Sequence, residues 1–140
     1  MFSRSTEYGL RALVYLARQP AGKQCGASEI AEAEKIPMPF LWKILQDLTR
    51  KRLLRSSRGV RGGYALTKPA TNVTLADVLK KMKSLGPLER CILGYRRCDD
   101  SKSCILHEQW TNVRDEMMRA LTVTTLADAT RRPSGRRKRR

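Results

Sequence analysis

The sequence predicts a mainly α-helical protein with a small β wing, a winged helix-turn-helix extended by a long C-terminal dimerisation helix. Three observations predict it. Two amphipathic segments meet at the short turn Ile36-Pro37, a glycine-rich and basic hairpin follows, and a heptad-like apolar run lies near the C-terminus. The 140 residues, 41% of them hydrophobic, suffice for one domain with a buried core.

The first helix is expected over 7–18, where Leu10, Leu13, Val14 and Ala17 repeat at i, i+3, i+4, i+7 before Gln19-Pro20-Ala21-Gly22 stops it. A second, short helix fits 28–35, with Ser28 as cap and Ile30, Ala31 and Ala33 as its apolar face. Met38-Pro39 then opens a third, whose buried side is Leu41, Ile44, Leu45 and Leu48. Leu53-Leu54-Arg55-Ser56 and Gly63-Tyr64-Ala65-Leu66-Thr67 read as two short strands around the tip Ser57-Arg58-Gly59-Val60-Arg61-Gly62, where glycine supplies the positive φ angles of a turn. Thr74-Leu-Ala-Asp77 resembles a capping box and starts a helix with Leu75, Val78, Leu79 and Met82 on one face, expected to stop at Gly86-Pro87.

From Leu88 to Ser103 no period is sustained, so this stretch reads as a loop needing a ligand to organise it. Periodicity resumes with Leu106, Trp110, Val113, Met117 and Leu121, a seam suited to a dimerisation helix, and Leu126-Ala127-Asp128 fits one more turn. The expected organisation is therefore a DNA-binding domain over 1–86, a cysteine-rich loop over 87–104, a dimerisation helix over 105–128 and a disordered basic tail over 129–140. No internal repeat is evident.

Charge narrows the partner. The chain carries a formal +16, and seven of its basic residues lie in the last ten positions. Without those, twenty-two basic residues still face thirteen acidic ones, a net +9, which points to a polyanion. The segment from Arg50 to Lys68 holds seven basic residues and no acidic one, as suits a wing lying against phosphates; the competing reading is a solvated basic face on a protein-binding winged helix. No apolar run has the roughly 18 residues of a membrane span, and the N-terminus does not open as a signal peptide, so a cytoplasmic protein without a membrane partner is expected.

A helix-turn-helix reads DNA with the outward face of its second helix. Pro39, Phe40, Trp42, Lys43, Gln46 and Arg50 are the candidates, with Gln46 suited to adenine edges and Lys43 to guanine or phosphate. Arg58 and Arg61 at the wing tip are candidates for the minor groove or its flanking backbone.

Four cysteines and one histidine complete the chemistry. The pattern Cys91-x6-Cys98-x5-Cys104-x2-His107 can converge on one centre, with His107 one turn along a helix from Cys104. Such a set can hold zinc or an iron-sulfur cluster; the missing C-x2-4-C knuckle favours the cluster. Cys25 stands apart and reads as a small buried hydrophobe. With no second His, no phosphate loop after a strand and no paired acids, an enzyme is not expected.

These residues carry a resemblance. Ser5 to Ala17, the Glu29-Ile-Ala-Glu32 segment, Pro39 to Leu48, the wing Ser57 to Leu66, Val73 to Val78 and Leu106-His-Glu-Gln-Trp110 resemble the Rrf-two family of bacterial regulators, which includes IscR-, NsrR- and RirA-like proteins, over about residues 1 to 128. The resemblance implies a homodimeric winged-helix transcription factor, usually a repressor, that binds double-stranded operator DNA. It implies a cluster on Cys91, Cys98 and Cys104, 2Fe-2S ahead of 4Fe-4S, through which redox state, nitric oxide or iron status alters operator affinity. In the IscR-like branch the fourth ligand lies at the position of His107, and in the NsrR-like branch at that of Glu7, from the partner's first helix; this chain has both. The x6 between Cys91 and Cys98 is one residue longer than the x5 of those branches. The alternative function is a constitutive winged-helix DNA-binding protein with a structural zinc site.

Overall fold

In the computed structural model, which describes residues 2–95 and 104–131, the local signals above mostly select the element and the packing adjusts its ends. Helix α1 spans Arg4–Arg18, beginning three residues before the expected Glu7 because the Ser3 side chain accepts the Thr6 N–H at 3.2 Å and caps it. Its face of Gly9, Ala12, Leu13 and Leu16 is buried.

Helix α2 spans Ala27–Glu34, and its N-cap is Gly26 rather than Ser28, which lies exposed within the first turn. Helix α3 spans Met38–Arg50, with proline in its first turn and Leu41, Ile44, Leu45 and Leu48 buried against α1 and α2. Helix α3 closes in a double bond pattern: Arg52 N–H reaches Thr49 C=O and Leu53 N–H reaches Leu48 C=O, each at 3.0 Å, while Arg52 takes a left-handed φ of 61°. Glycine is the usual occupant of such a position, and here an arginine takes it.

Committing Leu53 to that closure moves the first strand one residue along. Strand β1 is Leu54–Ser57 and pairs antiparallel with β2, Gly63–Leu66, with Leu54 opposite Leu66 and Ser57 opposite Gly63. Cys25 adds a third edge, exchanging two backbone hydrogen bonds with Tyr64 at 2.9 and 2.8 Å. Gly63 is required at this contact, since a Cβ would lie 2.5 Å from the Cys25 carbonyl oxygen.

Helix α4 spans Leu75–Lys81 with the expected Thr74–Asp77 capping box. It ends before the expected stop, and Gly86-Pro87 instead opens a four-residue helix, α5, Gly86–Glu89. Proline fits a first helical turn as well as it breaks an interior one, so the same dipeptide serves as a start. Helix α6 covers His107–Val123 and α7 covers Leu126–Ala129.

The absence of a repeat needs one correction. Thr-Leu-Ala-Asp occurs at 74–77 and again at 125–128. Both copies form capping boxes, and the structure sets them side by side: Leu75 N–H donates to Thr124 C=O at 2.9 Å and Leu126 N–H to Val73 C=O at 2.8 Å. Leu126 is thereby fully buried in the main core with Leu13, Ile30, Leu41, Leu45 and Val78. A second core cluster joins Ala76, Leu79, Leu85, Leu88 and Leu121, with Trp110 and Met118 packed on it. The C-terminal helices thus rest on the winged domain.

Candidate functional site

Burying Leu41, Ile44, Leu45 and Leu48 leaves one side of α3 to solvent, and Pro39, Phe40, Trp42, Lys43, Gln46 and Arg50 are all exposed there. Phe40 and Trp42 keep 56% and 54% of their surface accessible, an unusual exposure for large apolar side chains outside an interface. Arg50 forms an exposed ion pair with Asp47 at 3.5 Å, worth little in water and readily exchanged for a phosphate.

The hairpin sets Arg58 and Arg61 at its exposed tip, where Gly59 takes φ 105° and accepts the Gly62 N–H at 3.0 Å. Between wing and helix lies a groove of about 430 Å³ lined by Gln46, Thr49, Arg50, Ser56 and Tyr64. Thr49 of α3 and the wing residues Ser56 and Tyr64 were not singled out in the sequence; for the wing pair, only the strand register shows which residues face α3.

The thiols form the second locus. Cys91 follows α5 directly and is buried, and its Sγ lies 3.6 Å from that of Cys104. The Leu93 backbone N–H, against partial burial and with help from the Cys104 side chain and the Tyr95 and Gly94 N–H groups, holds the Cys91 thiol below its ordinary pKa. Two thiolates bound to one tetrahedral metal at about 2.3 Å would sit about 3.8 Å apart. The observed pair is close to that edge, and amide donors around sulfur are the surroundings thiolate-held metal centres use. The residues therefore fit such a centre.

Cys98 lies outside the described residues, and among those described no set of three His, Cys, Asp or Glu donors is assembled. His107 opens α6, its backbone N–H donating to the Cys104 carbonyl at 3.0 Å, which keeps it one turn from that thiol. Glu7 lies in the first turn of α1, exposed. Cys25 is fully buried, and burial foremost, then the Glu29 carboxylate, pushes its thiol pKa up.

Trp110 ties the thiol segment to α6: its Nε1–H donates to the Arg90 carbonyl at 2.8 Å. The seam is only partly used within one chain, since Leu121 is buried but Leu106, Val113 and Met117 remain exposed. No described helix is long and apolar enough to cross a membrane.

Comparisons with known proteins agree with this architecture. A family model described as Rrf2, iron-dependent transcriptional regulator, matches residues 2–132. A helix-turn-helix-type transcriptional regulator of Aquifex aeolicus is 31% identical over 130 residues, covering 91% of this chain and 90% of the relative. CymR, described as the global cysteine regulator of B. subtilis, superposes with a TM-score of 0.78 at 24% identity, covering 93% of this chain and 95% of that one. IscR of T. potens does so with a TM-score of 0.71 at 22% identity, covering 92% and 85%. The winged helix, its basic reading face and the family match across nearly the whole sequence lead to one conclusion: the chain belongs to the Rrf2 family of DNA-binding transcriptional regulators.

Proposed function

We propose that this regulator is a homodimeric, operator-binding repressor whose DNA contact is set by an iron-sulfur centre on Cys91, Cys98 and Cys104, completed by His107 or by Glu7 of the partner subunit. The observation that carries this is the Cys91–Cys104 sulfur pair at 3.6 Å within a shell of backbone amides. When bound, such a centre supplies redox chemistry that answers to oxidants, nitric oxide or iron supply.

The chain's own residues do the rest. Pro39, Phe40, Trp42, Lys43, Gln46 and Arg50 enter the major groove, and Arg58 and Arg61 hold the flanking backbone or minor groove. Leu106, Val113 and Met117 pack against the same seam of a second copy and fix the distance between two reading helices, which must match half-sites about 34 Å apart. Any change at Cys91 is passed on by two contacts: Leu88, three residues earlier, packs in the cluster of Leu121, and the Arg90 carbonyl holds Trp110. Both bear on α6, and α6 sets the spacing.

The same sulfur pair supports a second reading without a cluster. Two thiols at 3.6 Å need close by only about 1.6 Å to form a disulfide, giving a thiol switch, and a zinc staple would also suit them. Anaerobic purification followed by native mass spectrometry and visible absorption separates the readings. Iron with sulfide and a visible chromophore supports the cluster. Zinc alone, or a metal-free chain two mass units lighter after mild oxidation, overturns it.

A further inference from the structure

We propose that the cleft at the base of the wing, between Arg52, Lys68, Lys80 and Lys81, binds a small molecule carrying two linked phosphate groups, such as a nucleoside diphosphate. The cleft encloses about 300 Å³ and is floored by the buried Leu53 and Val73. That volume falls at the lower end of small-molecule sites, leaving room for an organic moiety beside the phosphates.

Charge sets the ligand class. Four cations line the cleft against one carboxylate, Asp77. That carboxylate is occupied: its Oδ2 accepts the Thr74 N–H at 3.0 Å as part of the capping box. Elsewhere the chain sets acids against its cations, with Glu34 beside Arg11 and Arg18, Glu29 beside Lys23, and Asp47 beside Arg50 and Lys51. Arg52, Lys68 and Lys80 have no carboxylate within ion-pair distance among the described residues, and Lys80 and Lys68 act on Asp77 only through the longer-range attraction that helps hold its carboxyl low. The Lys81 Nζ donates to the Lys51 carbonyl at 3.2 Å, which holds its charge at the cleft. A phosphate carries roughly −1.5 to −2. One therefore leaves the cleft positive, whereas two linked phosphates balance its surplus of three charges.

The position separates this cleft from the DNA-reading surface. Arg52 lies two residues beyond the C-terminal end of α3, whose axis runs about 18 Å from Met38 to Arg50 at 1.5 Å per residue. It also lies at the Leu54–Leu66 end of the hairpin, opposite the tip that carries Arg58 and Arg61. The seven basic residues between Arg50 and Lys68 thus divide between a DNA-facing set and a set at the wing base.

The test is isothermal titration of the full chain with inorganic pyrophosphate, inorganic phosphate and ADP at constant ionic strength. Arg52→Gly suits the left-handed backbone and removes the side chain without straining the turn; Lys68→Ala and Lys80→Ala complete the set, with the exposed Lys35→Ala as a matched loss of charge. The expected result is one pyrophosphate per protomer, bound at least about tenfold more tightly than phosphate, and about tenfold weaker in each cleft variant but not in Lys35→Ala. Tighter binding of ADP than pyrophosphate assigns the remaining volume to a nucleoside; equal binding assigns the site to pyrophosphate itself. Unchanged pyrophosphate affinity in the cleft variants overturns the proposal. So does a drop in the salt dependence of DNA binding on Arg52→Gly or Lys68→Ala, which would give these cations to DNA phosphates instead.

Discussion

Cys91 and Cys104, thirteen residues apart in sequence, bring their sulfurs to 3.6 Å, and the backbone beyond Cys91 turns its amides onto the first of them. The contact makes the two cysteine environments of this chain opposites. Metal-free protein treated with iodoacetamide should label at Cys91 well before Cys25, because the Cys91 thiol is held below its ordinary pKa and the Cys25 thiol is pushed up by burial. The Cys91 rate should also level off at a lower pH than that of a free thiol. Peptide mass spectrometry over a pH series reads both, and equal labelling of the two would contradict the assignment.

The paired capping boxes should act together. Thr74→Ala and Thr125→Ala each remove one cap and should cost roughly 0.5–2 kcal/mol in urea unfolding. Because Leu75 and Leu126 cross-bond the two segments, the double variant should depart from the sum. The acid dependence has a definite sign. Backbone N–H groups of Thr74 and Thr125 hold the Asp77 and Asp128 pKa values low, so their stabilisation is present above about pH 4 and is lost as pH falls through the depressed folded values. The difference between wild type and Asp77→Asn, which removes the titrating carboxylate, should therefore narrow in acid.

Two wing glycines should respond unequally to alanine. At Gly59 the added Cβ meets open space, leaving only the strain of φ 105°, about 1–2 kcal/mol. At Gly63 it meets the Cys25 carbonyl oxygen at 2.5 Å, a backbone atom that cannot swing aside. Gly63→Ala should cost more than about 2 kcal/mol and weaken operator binding through a displaced wing, while Gly59→Ala stays the milder change. Thermal unfolding with an electrophoretic shift assay checks both.

The reading surface predicts a division of labour. Arg58→Ala should lower the salt slope of DNA binding by about one unit across all sequences. Gln46→Ala should leave that slope alone and cost about 1–3 kcal/mol only where the operator offers an adenine. Fluorescence anisotropy against operator and scrambled duplexes at several salt concentrations separates the two, and a shared pattern would mean that Gln46 meets backbone rather than base.

Helices α1 and α3 were legible in the sequence because their apolar residues recur with the helical period. The buried face was legible for α3, whereas in α1 Leu10, Val14 and Ala17 of the expected stripe are only half-buried, and Gly9, Ala12 and Leu16 are buried with Leu13. Equally local signals exposed the Thr74 capping box, the glycine-rich wing tip and the outward set from Pro39 to Arg50. Ends were harder. Ser28 had the chemistry of a cap but lay inside the turn, and Gly86-Pro87 served as a start where a stop was expected.

What the amino-acid order determined alone was therefore the winged architecture, its basic reading face and the presence of a cysteine-rich segment before the last long helix. Tertiary structure decided which distant pieces meet. It set Cys91 beside Cys104, joined the two Thr-Leu-Ala-Asp segments across an antiparallel bridge, and parted the wing's arginines and lysines between tip and base. Each of these depends on how helices of known face and length stack around shared cores, a through-space relation that periodicity along one stretch of chain does not encode.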